Sequence, residues 1–180
     1  LGAGSGVIGM TVYYPEQNHA DPQAYPPTFM SGDTLDGSSG FSVVKYTTIV
    51  NPWIGIVMGP SWNELGMVDH VYMSPLKAGY FANMTTDIGK IMDLSISSQY
   101  YAQFDPSVNR DILTAKMKAL TVGVEVQRSD WQYIYHMNIQ DVHTGYRISR
   151  FENATDVTDG TNSQLYDIKM SNVVIGIDAH

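Results

Sequence analysis

The sequence predicts an all-β fold, mainly strands with one short helix. The expected form is a single β-sandwich or jelly-roll-like domain behind an extended N-terminal arm. Three observations predict it. Leu120–Val142 holds two apolar–polar alternating arms around Arg128-Ser129-Asp130. Alternation at period two marks half-buried strands, and a short polar break between them marks a hairpin. Elsewhere, short apolar runs recur between Gly, Pro, Asn and Asp, the spacing of sandwiches, jelly rolls and squat barrels. Finally, 12 Tyr and 3 Trp suit strands better than helices.

The elements follow in order. Leu1–Gly9 is glycine-rich, and Gly4-Ser5-Gly6-Val7-Ile8-Gly9 fits G-x-G-x-x-G. A dinucleotide site needs a strand before that motif and a helix after it. Only three residues precede it, and the β-like Met10–Tyr14 follows, so a flexible arm is the reading. Pro15–Gly40 carries Pro15, Pro22, Pro26 and Pro27 and has little periodicity. An irregular stretch of that length is a functional loop or an arm ordered on something else. Residues 1–40 are therefore assigned to arm and loop, and residues 41–180 to the sandwich.

Phe41–Val50 reads as a strand stopped by Asn51-Pro52, and Trp53–Met58 as an apolar run closed by Gly59-Pro60. Met67–Met73 is a further strand. In Ile88–Phe104, Met92, Leu94 and Ile96 alternate with Asp93, Ser95 and Ser97. Asp105-Pro106-Ser107 begins the one expected helix, with Ile112, Ala115 and Ala119 on its stripe. In the central hairpin Leu120, Val122, Val124 and Val126 are expected inside. So are Trp131, Tyr133, Tyr135, Met137 and Ile139, with Ile134 the exception. Tyr146–Phe151 is a short strand and Glu152–Ser163 a polar loop. Gln164–Asp178 is the last strand, changing phase at Ser171-Asn172 as a bulge would. No repeat of solenoid or propeller period is read.

Composition excludes several functions. A net charge of −8 opposes binding to a phosphate backbone, which requires a basic face. The absence of cysteine removes disulfides, thiolate metal sites and cysteine nucleophiles. No apolar run approaches the ~20 residues of a membrane helix.

The motifs point to no chemistry. His19, His70, His136, His143 and His180 form neither H-x-H nor H-E-x-x-H. Asp69-His70 adjoins no obvious nucleophile, and Gly37-Ser38-Ser39-Gly40 is one residue short of a nucleophile elbow. Asp33–Gly37 and Asp156–Gly160 share D-x-x-D-G, a calcium-loop composition that also makes ordinary turns. Asn83-Met84-Thr85 and Asn153-Ala154-Thr155 are glycosylation sequons. Glu125 stands on the polar face of the expected hairpin. No catalytic residue, cofactor or metal is expected, and the chain is not expected to be an enzyme.

The leading expectation is a self-assembling structural protein: a virion component of capsid or tail-tube type, or a similar shell or filament subunit. Its partners would be copies of itself and other structural subunits, without direct nucleic-acid contact or a membrane span. Met10, Val12, Tyr13, Tyr14, Tyr25 and Phe29 are the apolar residues of the assembly arm. The alternative is an extracellular carbohydrate-binding sandwich module, with Trp53 and Trp62 stacking on the ligand. Virion or extracellular space is the expected location.

Overall fold

The computed structural model describes residues 1–31, 39–152, 157–158 and 161–179. Strands β1 (Gly6–Ile8), β2 (Thr11–Tyr13), β3 (Phe29–Ser31) and β4 (Ser39–Gly40) come first. They are followed by β5 (Val43–Val50), β6 (Ile54–Met58), β7 (Asn63–Glu64), β8 (Met67–Met73), β9 (Ala78–Ala82) and β10 (Gly89–Ile96). Helices α1 (Gln99–Phe104) and α2 (Arg110–Leu120) separate these from β11 (Val122–Val126), β12 (Ser129–Gln140) and β13 (Thr144–Ile148). The chain continues through β14 (Phe151–Glu152), β15 (Val157–Thr158), β16 (Thr161–Ser171) and β17 (Ile175–Ala179).

Two large sheets hold most of these strands. The first runs β1-β5-β8-β10-β12-β16, with β2 also on β5. The second runs β17-β13-β11-β9-β6-β3. Every ladder in both is parallel. The sandwich or jelly-roll expectation is thereby overturned, because those folds are antiparallel. Parallel strands cannot be joined by a tight hairpin. They usually belong to α/β folds, whose crossovers are helices. Among the described residues, only the crossover from β10 to β11 contains helices. The others pass through the opposite sheet: β5 leads to β6, β8 to β9, β12 to β13 and β16 to β17. The chain therefore winds as a coil, each turn stacking on the one before. Among the described residues, the only antiparallel pair is the small β14–β15 ribbon.

The central hairpin is corrected as well. Its two arms, β11 and β12, lie in different sheets and do not pair with each other. The side-chain phase of β12 also differs. Gln132 and Ile134 point inward before His136, while Met137 and Ile139 point inward after it. Trp131 is exposed, and Tyr133 and Tyr135 are half-buried. The switch is made by His136, whose φ is +53°. A left-handed residue turns the strand and adds one step to the alternation.

The same device recurs at one place in five successive turns. Tyr46, His70, Asp93, His136 and Asp167 all have φ between +48° and +53°. Around them the inward positions repeat as Val44, Thr47, Ile49; Val68, Val71, Met73; and Ile91, Leu94, Ile96. The series continues as Ile134, Met137, Ile139, then Leu165, Ile168, Met170, partly buried against the same core. The registers Val44↔Val68, Val68↔Ile91, Ile91↔Ile134 and Ile134↔Leu165 stack these sets directly. The chain thus has an internal repeat that the sequence reading missed.

The second sheet closes the core from the other side with Ile56, Tyr80, Val124 and Tyr146. Where the turn from β10 is enlarged, α2 seals it with Leu113 and Met117. This helix starts later than Asp105. Its cap is Asn109, whose side chain accepts from the Asp111 and Ile112 N–H groups. Ile112 is exposed rather than on the packed stripe.

Candidate functional site

The left-handed residues put charged and aromatic side chains in file on the outer surface of the first sheet. Asp69 Oδ1 lies 2.6 Å from His70 Nδ1, within hydrogen-bond distance. The same His70 nitrogen is 3.6 Å from Asp93 Oδ2. The other oxygen of Asp93 is 3.4 Å from His136 Nδ1, and His136 Nε2 is 3.9 Å from Asp167 Oδ2. Lys45 and Lys169 stand at the two ends, 3.3 Å from Asp69 Oδ2 and 3.9 Å from Asp167 Oδ1. Carboxylates and imidazoles thus alternate along the coil axis. Tyr46 continues the file, its ring 5.0 Å from that of His70.

Two residues beyond the left-handed row, at the next outward position, lies a second file, Thr48, Tyr72, Ser95, Asn138 and Lys169. The registers Thr48↔Tyr72, Tyr72↔Ser95, Ser95↔Asn138 and Asn138↔Lys169 place them in line. Adjacent strands are about 4.8 Å apart, so the file spans roughly 19 Å. Helix α1 folds against one end of it: the Tyr100 hydroxyl donates to Ser95 Oγ at 2.6 Å, and its ring lies 5.5 Å from Tyr72. Thr11, Thr48, Tyr72, Tyr100, Gln103 and Phe104 enclose a cleft of about 460 Å³ there. At the other end Asp93, His136, Met137, Asn138, Asp167 and Lys169 line a cleft of about 300 Å³. The surface is therefore a trough across the turns, aromatic at one end and polar at the other. On the side of the ladder away from it, Tyr135 stacks on Tyr166 at 5.1 Å and 7°.

The residues expected to form the assembly arm lie elsewhere, against their own chain. β2 pairs with β5 through Thr11↔Thr48, Val12↔Ile49 and Tyr13↔Val50. Tyr13 packs on Phe104 with ring centroids 4.8 Å apart. Tyr14 donates to Thr28 Oγ1 at 2.8 Å and lies beside Tyr25. Phe29 packs on the core, whereas Met10 is exposed. Trp53 also packs on the core, and Trp62 lies under the Arg128 guanidinium at 4.5 Å, so the two do not share a surface with the trough. Asp33–Gly37, the Asp156, Asp159 and Gly160 of the second D-x-x-D-G motif, Asn153 and His180 lie outside the described residues. Asn83 is buried, which withdraws that sequon from solvent in the folded chain.

Asp141 is a corner of the coil. It accepts from Ser98 Oγ at 2.7 Å, Asn172 Nδ2 at 2.7 Å and Ser97 Oγ at 3.2 Å. The ladder was missed because its members are scattered between residues 46 and 167; the signal available was a polar Tyr, His or Asp two places after each inward Val, Ile or Leu. No family model matches the chain. No curated protein and no solved structure matches it either.

Proposed function

We propose that this chain is a carbohydrate-recognition module that lays an extended glycan along the trough of the first sheet. The observation that carries this reading is the file Thr48–Tyr72–Ser95–Asn138–Lys169, one outward group per turn. The turn spacing is close to the length of one sugar unit in an extended chain. A hydroxyl, a phenol, an amide and an ammonium offer donors and acceptors at four of the five steps, Ser95 being buried under the Tyr100 hydroxyl, and Tyr72, Tyr100 and Phe104 supply apolar ring surface at one end. The adjacent ladder sets three carboxylates against two lysines. That balance favours a neutral or amino sugar over a uronate polymer.

A self-assembling subunit has less support, because all the named arm residues but the exposed Met10 find partners in their own chain. Binding to a panel of neutral and amino glycans, measured by affinity electrophoresis and calorimetry, tests the proposal. Tyr72→Ala should weaken retention about tenfold, the equivalent of about 1.4 kcal/mol. Trp62→Ala, on a different surface, should leave it unchanged. Absence of any retained glycan, or equal binding by Tyr72→Ala, refutes the reading.

A further inference from the structure

We infer that Asp69, His70 and Asp93 form a binding site for one divalent transition ion of the zinc type. The inference does not depend on glycan binding. One ligand atom each of Asp69, His70 and Asp93 lies within 4.8 Å of the other two, and His70 Nδ1 is 2.6 Å from Asp69 Oδ1 and 3.6 Å from Asp93 Oδ2. Zinc bonds to nitrogen and oxygen of about 2.1 Å place two ligands at most about 4.2 Å apart. The three groups reach that geometry by a side-chain adjustment of under about 1 Å.

The hydrogen bonding of the three groups favours a cation. His70 Nδ1 can carry one proton, yet two carboxylates converge on it, at 2.6 and 3.6 Å. One proton cannot serve both. A divalent ion does: it takes the imidazole nitrogen and both oxygens, with Nδ1 unprotonated. The second oxygen of each carboxylate is already held. Lys45 Nζ lies 3.3 Å from Asp69 Oδ2, and His136 Nδ1 lies 3.4 Å from Asp93 Oδ1. Such outer contacts orient metal-ligating carboxylates.

The donor set selects the ion. Calcium and magnesium take oxygen ligands, whereas an imidazole with carboxylates suits zinc, cobalt and nickel. Asp69 is buried, while the His70 and Asp93 side chains are 43% and 39% exposed. The ion is thus anchored on one side and open on the other, leaving at least one coordination position for water or a ligand hydroxyl.

Calorimetric titration of the metal-free full chain with zinc chloride tests the site. The expected result is one ion per chain, not displaced by excess calcium or magnesium. His70→Asn and Asp93→Asn should each weaken binding at least tenfold; Asn tolerates the left-handed backbone at both positions. Asp130→Asn, in the Arg128 pair away from the ladder, should bind as the parent does. Where a variant does not fold, histidine side-chain NMR of the unaltered chain decides. Zinc should shift His70 first; a response confined to His19 or His143 overturns the site. So does unchanged affinity in folded His70→Asn and Asp93→Asn, or no saturable zinc binding.

Discussion

Gly79 lies directly against Gly123 in the second sheet: a Cβ built on Gly79 would stand 2.5 Å from the Gly123 carbonyl oxygen and would also collide with Ile96 Cδ1. Gly123 bears the same relation to Gly145, with 2.7 Å to its carbonyl oxygen. The glycines form a file, and the inward Met73, Ile96, Ile139 and Met170 of the first sheet fill the space above it. Gly79→Ala should therefore cost about 1–3 kcal/mol through overpacking. Gly2→Ala, where nothing lies within 4 Å, should be nearly silent. Urea denaturation of both variants checks this; equal midpoints would contradict the close approach of the sheets.

The phase switch at His136 yields a second prediction. Ile134 is fully buried, whereas Tyr135 beside it stacks outside on Tyr166. Ile134→Asp should unfold the domain, because an unpaired buried charge costs several kcal/mol. Tyr135→Asp should cost only about 1 kcal/mol, the stacking it loses. Circular dichroism and thermal melting distinguish the two, and the opposite ranking would restore the hairpin register expected from alternation.

Acid stability should depend on Asp141. Burial pushes its carboxyl up, but hydrogen bonds from Ser98, Asn172 and Ser97 and the Arg110 charge outweigh this and hold it below the usual carboxylate range. A group with a depressed folded pKa stabilises above its unfolded value, about 3.9, and loses that contribution as pH falls through the folded value. Asp141→Asn should cost about 1–3 kcal/mol at pH 7. The difference from the parent should shrink as the pH is taken below about 4. Denaturant midpoints across that range provide the measurement; a constant difference would show that the carboxylate charge is not what the corner uses.

The local character of most segments could be read from residues alone. Val43–Val50, Met67–Met73 and Gly89–Ile96 are strands because β-branched and apolar residues alternate there and turn residues bound them. The α2 helix is marked by its helix-forming run, although the sequence expectation began it at Asp105 and its cap is Asn109. Val122, Val124 and Val126 are core residues in either architecture.

Pairing was decided only in three dimensions. Period-two alternation records which side of a strand is buried, not the direction of its neighbour. Arg128-Ser129-Asp130 is as suitable for a coil corner as for a hairpin. The repeat also lay in the sequence, as an inward residue followed at three and five places by two more. Its spacing obscured it. Val44, Val68 and Ile91 follow at 24 and 23 residues, but the helices separate Ile91 from Ile134 by 43 and a further insertion separates Ile134 from Leu165 by 31. The candidate site shares that origin. His70, Asp93, His136 and Asp167 have no meaningful spacing along the chain, and become neighbours because parallel stacking sets equivalent positions one strand apart. Sequence determined which residues are apolar and which are polar; the left-handed residues and the winding of the chain determined which of them face inward and which polar residues meet.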